Sequence, residues 1–152
     1  MLVCEIIKKD ETYLFQCSSD KDEVVLKSSV HEHKETVFND LNTFFKNGFK
    51  VSHIIDRTFD DGNVFYYLTC TNNLEFESPL KIEFEKEDGD YVGSIPDLNL
   101  FAYSPNIMEV IDDLKNDLDA LYEELFIEKH KLSSKAVKIK EILTSKLMLN
   151  GV

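Results

Sequence analysis

Arginine is almost missing from this chain: Arg57 is the single instance among 152 residues, there is no tryptophan, and only five glycines and three prolines interrupt it. The shortage of positive charge excludes most. Seventeen Lys and Arg stand against 29 Asp and Glu, a formal net charge of −12. Binding to nucleic-acid phosphate relies on Lys and Arg displacing counterions, so no direct nucleic-acid partner is expected. Gly-rich phosphate loops, Ser/His/Asp sets and aromatic-basic RNA platforms are also missing. Cysteine is scarce and odd in number: Cys4, Cys17 and Cys70 lie in apolar, strand-like contexts without C-x-x-C spacing. They read as reduced core cysteines, with no disulfide needed for folding. No apolar run is long enough to cross a bilayer, and the start, with Glu5, Lys8, Lys9 and Asp10, does not read as a signal peptide. The expected location is cytoplasmic, with no membrane partner.

The most legible stretch runs over residues 80–126. Leu80, Ile82 and Phe84 alternate with Lys81, Glu83 and Glu85 in the period of a half-buried strand. Asp88-Gly89 supplies a tight turn back onto residues 91–95. A short third strand over 100–103 follows, and then an amphipathic helix opening at Asn106, with Glu109 three residues on as a capping box.

The residues Glu87-Asp88-Gly89, Tyr91-Val92, Pro96-Asp97-Leu98, Phe101-Ala102-Tyr103 and Asn106-Ile107-Met108-Glu109-Val110 resemble the signature of the HicB-like antitoxins, small bacterial and archaeal proteins. That signature is an acidic-Gly turn, an aromatic strand, a Pro-Asp/Glu-Leu step, a third strand and a helix opening Thr-x-x-Glu-Ala. The frequent Pro-Gly of the family is Asn99-Leu100 here, and the glycine before the helix is Ser104. The resemblance covers about a third of the chain. It implies a β-β-β-α unit, a protein partner and no catalysis.

The first half reads as a diverged copy of the second. At an offset of 78, Leu2, Glu5, Lys8, Asp10 and Tyr13 fall on Leu80, Glu83, Lys86, Asp88 and Tyr91. At an offset of 77, Glu32, Asn39, Asp40, Leu41 and Phe49 fall on Glu109, Asn116, Asp117, Leu118 and Phe126, while Val30, Val37 and Phe44 match Ile107, Leu114 and Leu121. Ser29-Val30-His31-Glu32 predicts a second capping box, hence a first helix over 30–46 stopped by Asn47-Gly48. Strands are expected over 2–7, 13–17 and 23–27, and an extra hairpin over 49–56 and 64–71 around Asp60-Asp61-Gly62-Asn63. The fold class is therefore α+β: two tandem β-β-β-α repeats with an inserted β-hairpin and a C-terminal helix. The divisions are 1–73, 74–130 and 131–152, with Thr71-Asn72-Asn73 as linker. Two marginal units in one chain amount to a single-chain pseudo-dimer, so a monomer or a homodimer is expected.

Past residue 128 the charge reverses. Lys129, Lys131, Lys135, Lys138, Lys140 and Lys146 accompany an apolar stripe of Val137, Ile139, Ile142, Leu143 and Leu147 on a third helix capped by Ser133 or Ser134 and ended by Asn150-Gly151. Its lysines are expected to face Asp112, Asp113, Asp117, Asp119, Glu123 and Glu124 of the second helix. His31 and His33, two apart on a helix, point away from one another and would not share a metal ion. Residues 41–55 loosely resemble the HicA-type toxin, a nuclease with a catalytic strand histidine. Val51 replaces its glycine and a basic surface is lacking, so His53 is expected to be non-catalytic. HicB domains are topologically related to RNase H-like folds, which cut nucleic acid with clustered carboxylates on central strands. Here the carboxylates read as surface or turn residues.

Catalytic residues, cofactor and metal are thus all expected to be absent. The expected role is a protein-binding module, an antitoxin-like inhibitor or a stand-alone regulator derived from one, whose partner is a small basic toxin or nuclease. Its contact residues are Asp97, Asn99, Phe101 and Tyr103. The alternative is an acidic mimic of nucleic acid that blocks a nuclease, which requires the carboxylates of the second helix to be exposed and unpaired.

Overall fold

A computed structural model describes residues 2–19, 23–47, 51–60, 63–128 and 130–147. The chain is mixed α+β and divides into two compact units, residues 1–69 and 70–152. Strands within each pair antiparallel, with one exception in the first unit. No helix among the described residues is long and apolar enough to cross a membrane.

In the first unit, β1 (Leu2–Lys9) and β2 (Thr12–Ser18) form a hairpin whose turn residue Asp10 sits at φ 56°. Asp tolerates that left-handed conformation because its short polar side chain bonds locally. β3 (Val24–Lys27) adds to β2, and α1 (Lys34–Lys46) leads to β4 (Val51–Asp56), which pairs parallel with β1. β5 (Phe65–Cys70) folds back antiparallel on β4. The expected hairpin is thus present, and it extends the sheet through β1. The spatial order is β3-β2-β1-β4-β5. Cys4, Ile6, Phe15, Cys17, Val37, Leu41, Val51 and Ile54 make the core. β4 is buried on both faces, as a central strand must be.

Two expectations for this unit are corrected. The helix does not start at Ser29: His33 is its N-cap and offers no side-chain bond. Residues 28–31 instead run along β2, where Tyr13 and His31 exchange both backbone bonds (2.7 and 2.8 Å) and Ser28 N–H donates to Phe15 O (2.8 Å). His31 and His33 therefore precede the helix, and Val30 is exposed. Cys4 and Cys17 are also not reduced. They sit directly opposite in the β1–β2 ladder, Cα atoms 4.2 Å apart, and form a buried disulfide, while Cys70 is a buried thiol. Residues far apart in spacing motifs became neighbours through the hairpin register.

In the second unit, β6 (Glu75–Glu87) and β7 (Asp90–Ile95) are joined by Asp88 and Gly89, at φ 51° and 87°. Two successive positive φ angles are what a two-residue hairpin needs to match strand twist. A single 3₁₀ turn, Pro96–Leu98, leads to β8 (Leu100–Ser104), giving the order β6-β7-β8. α2 (Ile107–Tyr122) lies across β7 and β8, buries Val110, Ile111, Leu114 and Leu118, and ends in a wider π turn, Glu123–Ile127. α3 (Ser134–Lys146) is capped by Ser133 Oγ, which accepts from Ala136 N–H at 3.1 Å. Its anchor is Leu143, fully buried, while Leu147 bridges to Phe76 and Val137 is exposed, so the expected apolar stripe is only partly used. The helix stop signals Gly48 and Asn150-Gly151, and Asp61-Gly62 of the expected hairpin turn, lie outside the described residues.

Candidate functional site

The outer edge of β8 and the adjoining face of α2 bring the chemistry together. Leu98, 1 % exposed, pins the 3₁₀ turn to the core. Asn99 then takes the left-handed conformation (φ 55°), its N–H donating to Pro96 O at 3.0 Å, and redirects the chain into β8. Asparagine serves where glycine would otherwise be needed. Along β8 the period of two sends Ala102 and Ser104 inward and Phe101 and Tyr103 outward, each aromatic 66 % exposed. β8 pairs only with β7 among the described strands of its unit, so its other edge presents unpaired backbone groups.

α2 reaches this edge because its start is fixed by β8. Ser104 Oγ donates to Glu109 Oε2 (2.5 Å) and accepts from Asn106 N–H (3.2 Å), while Asn106 Oδ1 accepts from Met108 N–H (2.9 Å). The carboxylate expected to bond the cap's own N–H instead bonds Ser104. One to three turns on, Asp113, Asn116 and Asp117 share a helix face. Together with Phe101, Ala102 and Tyr103 they line an open groove of ≈ 450 Å³. Partial burial, and then the like charge of Asp113, raise the Asp117 carboxyl above its ordinary value. The groove thus couples two uncovered aromatic rings with two carboxylates that form no ion pair among the described residues.

Of the four expected contact residues, Phe101 and Tyr103 line the groove, while Asp97 and Asn99 are exposed on the preceding turn and do not. Asn116 was missed because no residue pattern shows which helix face a strand edge will meet.

The tail lysines do not meet α2 as expected. Among the described residues no ion pair joins Lys131, Lys135, Lys138, Lys140 or Lys146 to an α2 carboxylate. Lys140 instead lies 4.9 Å over the Phe126 ring, which stacks on Tyr122 at 4.7 Å. Asp112, Asp113, Asp117, Glu123 and Glu124 are exposed, and Asp119 accepts from Thr71 Oγ1.

In the first unit, a carboxylate does occupy a central strand, contrary to expectation. Asp56 ends β4 fully buried, its Oδ1 accepting from Thr58 N–H (3.0 Å) and Thr58 Oγ1 (2.6 Å). Its Oδ2 lies 3.3 Å from Lys34 Nζ without hydrogen-bond geometry, a charge pairing that still offsets burial. His53 is 1 % exposed, with Nδ1 3.0 Å from Ser52 Oγ. His31 Nε2 lies 2.6 Å from Asp40 Oδ2, tying the segment before α1 to the helix. No group of three or more potential metal ligands occurs among the described residues.

No protein-family model, curated protein or solved structure matches the chain.

Proposed function

We propose that this protein acts by binding another protein and not by catalysis, as an antitoxin-like inhibitor or a regulator descended from a HicB-type antitoxin. The observation that carries this reading is the pair Phe101 and Tyr103, 66 % exposed on an edge strand beside an acidic groove. Adjoining exposed apolar side chains rimmed by polar groups mark interaction sites, and buried aromatic anchors carry most of the energy of such interfaces. The net charge of −12 suits a basic partner, a small toxin or nuclease, which the acidic face would steer toward the groove.

Two internal likenesses support descent from a tandem repeat. At the offset of 78, Asp10 and Asp88 both take the left-handed turn position. Lys8 lies 5.9 Å over the cross-strand Tyr13 ring, and Lys86 lies 5.5 Å over the cross-strand Tyr91 ring. The helices correspond less fully, since α1 starts later, yet Val37 and Leu41 are buried as are Leu114 and Leu118.

Calorimetry with small basic toxins of the HicA type tests the reading. A stoichiometric complex that suppresses the partner's activity is expected, and a Phe101→Ala, Tyr103→Ala double variant should weaken it. Absence of binding, or binding indifferent to both truncations, would overturn it.

A second reading has one observation in its favour. Asp112, Asp113 and Asp117 of α2 are exposed and unpaired by the described tail lysines, as an acidic mimic of nucleic acid requires. Its affinity for a nuclease would collapse as salt screens exposed charge over roughly 8 Å.

A further inference from the structure

β3 forms one edge of the first unit's sheet, and apolar side chains stand exposed along it. Such strands usually carry lysine or proline along their length to deter pairing with another chain. Here Val24 and Val25 are 49 % and 60 % exposed, and Val30 just beyond is 59 % exposed. On the inner side, Lys27, Leu26 and Val24 pair with Gln16, Cys17 and Ser18. Val25 is the extra residue of a bulge and has no counterpart on β2.

Charge stands only at the two ends of this segment. Glu23 and Lys27 bracket Val24-Val25-Leu26, both are exposed, and neither carries an ion pair among the described residues. Read in one direction the segment runs negative, apolar, positive. An antiparallel copy therefore presents the opposite sign at each end, the self-complementarity that a two-fold interface demands.

We propose that β3 is the contact through which two copies of this chain pair, antiparallel and edge to edge, about a two-fold axis at Val25. Glu23 then lies opposite Lys27 of the second copy at both ends, Val24 opposite Leu26, and Val25 opposite itself. Other arrangements lose these pairs. A parallel pairing sets Glu23 against Glu23 and Lys27 against Lys27, and like charges directly opposite destabilise a ladder. A slip of two residues sets either Glu23 or Lys27 against Val25 and breaks both charge pairs. Because the two-fold operation uses the β3 edge of each copy, the assembly closes at two and does not propagate. So short a strand buries little area, so the dimer is weak, with a Kd on the order of ten micromolar. The proposal uses first-unit residues only and is independent of the reading given for Phe101 and Tyr103.

Sedimentation velocity of the full chain over a concentration series tests it, with circular dichroism checking that each variant is folded. The wild type should dimerise. Glu23→Lys and Lys27→Glu should each raise Kd roughly tenfold, since each replaces two attractive pairs with two repulsive ones. The combined Glu23→Lys, Lys27→Glu variant should return to within about threefold of wild type, because the pairs reform with signs exchanged. Val25→Asp, which sets two carboxylates on the axis, should be monomeric at every concentration. A wild type that is monomeric at about 100 µM overturns the proposal, leaving β3 to some other occupant. So does a dimer indifferent to Val25→Asp and to both single reversals, or a charge exchange that fails to restore pairing.

Discussion

Val110 of α2 lies directly over Gly93 of β7: a Cβ built on Gly93 would come within 2.6 Å of Val110 Cγ1 and 3.0 Å of Phe84 Cε1. Glycine here sets how closely helix and sheet approach, and so where the α2 carboxylates stand relative to β8. Gly93→Ala should lower stability by about 1–3 kcal/mol through overpacking. Urea denaturation of Gly93→Ala, Val110→Ala and the double variant checks this. The double variant should recover part of the loss if the two side chains compete for one space.

Phe101 and Tyr103 project into water, so truncating them should cost the free protein less than about 0.5 kcal/mol. The same truncations should weaken the complex with a basic partner by roughly 1–3 kcal/mol each, mainly by faster dissociation. Neutralising Asp112, Asp113 and Asp117 together should mainly slow association and flatten the salt dependence. Surface plasmon resonance at two salt concentrations separates the effects. A triple variant that loses all binding while both aromatic truncations are silent favours the nucleic-acid mimic instead.

Asp117 supplies a pH signature. Its carboxyl is raised above the ordinary value by burial and by Asp113, so the folded chain holds this proton more tightly than the unfolded chain does. Its charge therefore opposes folding at neutral pH, and that penalty disappears as pH falls through the raised pKa and then the unfolded one. Asp117→Asn should melt slightly higher than wild type at pH 7, and the difference should vanish below the usual carboxylate range. Thermal melts between pH 3 and pH 7 check the sign. A wild type that is the more stable at pH 7 contradicts it.

The Cys4–Cys17 bridge closes a loop with a sequence separation of 13. A loop of that size restricts the unfolded chain enough to stabilise the fold by roughly 3 kcal/mol. Alkylation of protein denatured without reductant should therefore label Cys70 alone, and dithiothreitol should lower the melting temperature. Three labelled cysteines with no thermal shift would show the pair to be reduced.

What the sequence could determine by itself was local in cause. Asp88-Gly89 specifies a hairpin because φ above zero is cheap at those two residues. Asn106 starts α2 because its own side chain meets the N–H two residues on. The alternation of Phe101 and Tyr103 with Ala102 and Ser104 places two rings outward with no help from elsewhere in the chain. Where the outcome hung on a neighbour distant in sequence, pattern was not enough. Ser29 and Glu32 have the chemistry of a capping box, yet the backbone of 28–31 bonds to β2, a choice available only once the β1–β2 hairpin has set its register. The same register brings Cys4 to Cys17. Asp56 ends the expected strand over 49–56 with nothing local to mark its carboxylate as buried, but β4 pairs with β1 and Lys34 arrives from the first turn of α1 to offset a buried charge. The groove beside β8 was decided the same way, since periodicity says which residues leave a helix on one side and only packing says what that side meets. Capping and turn energies act within a few residues, whereas ladder pairing and burial draw on the whole unit and prevail where the two compete.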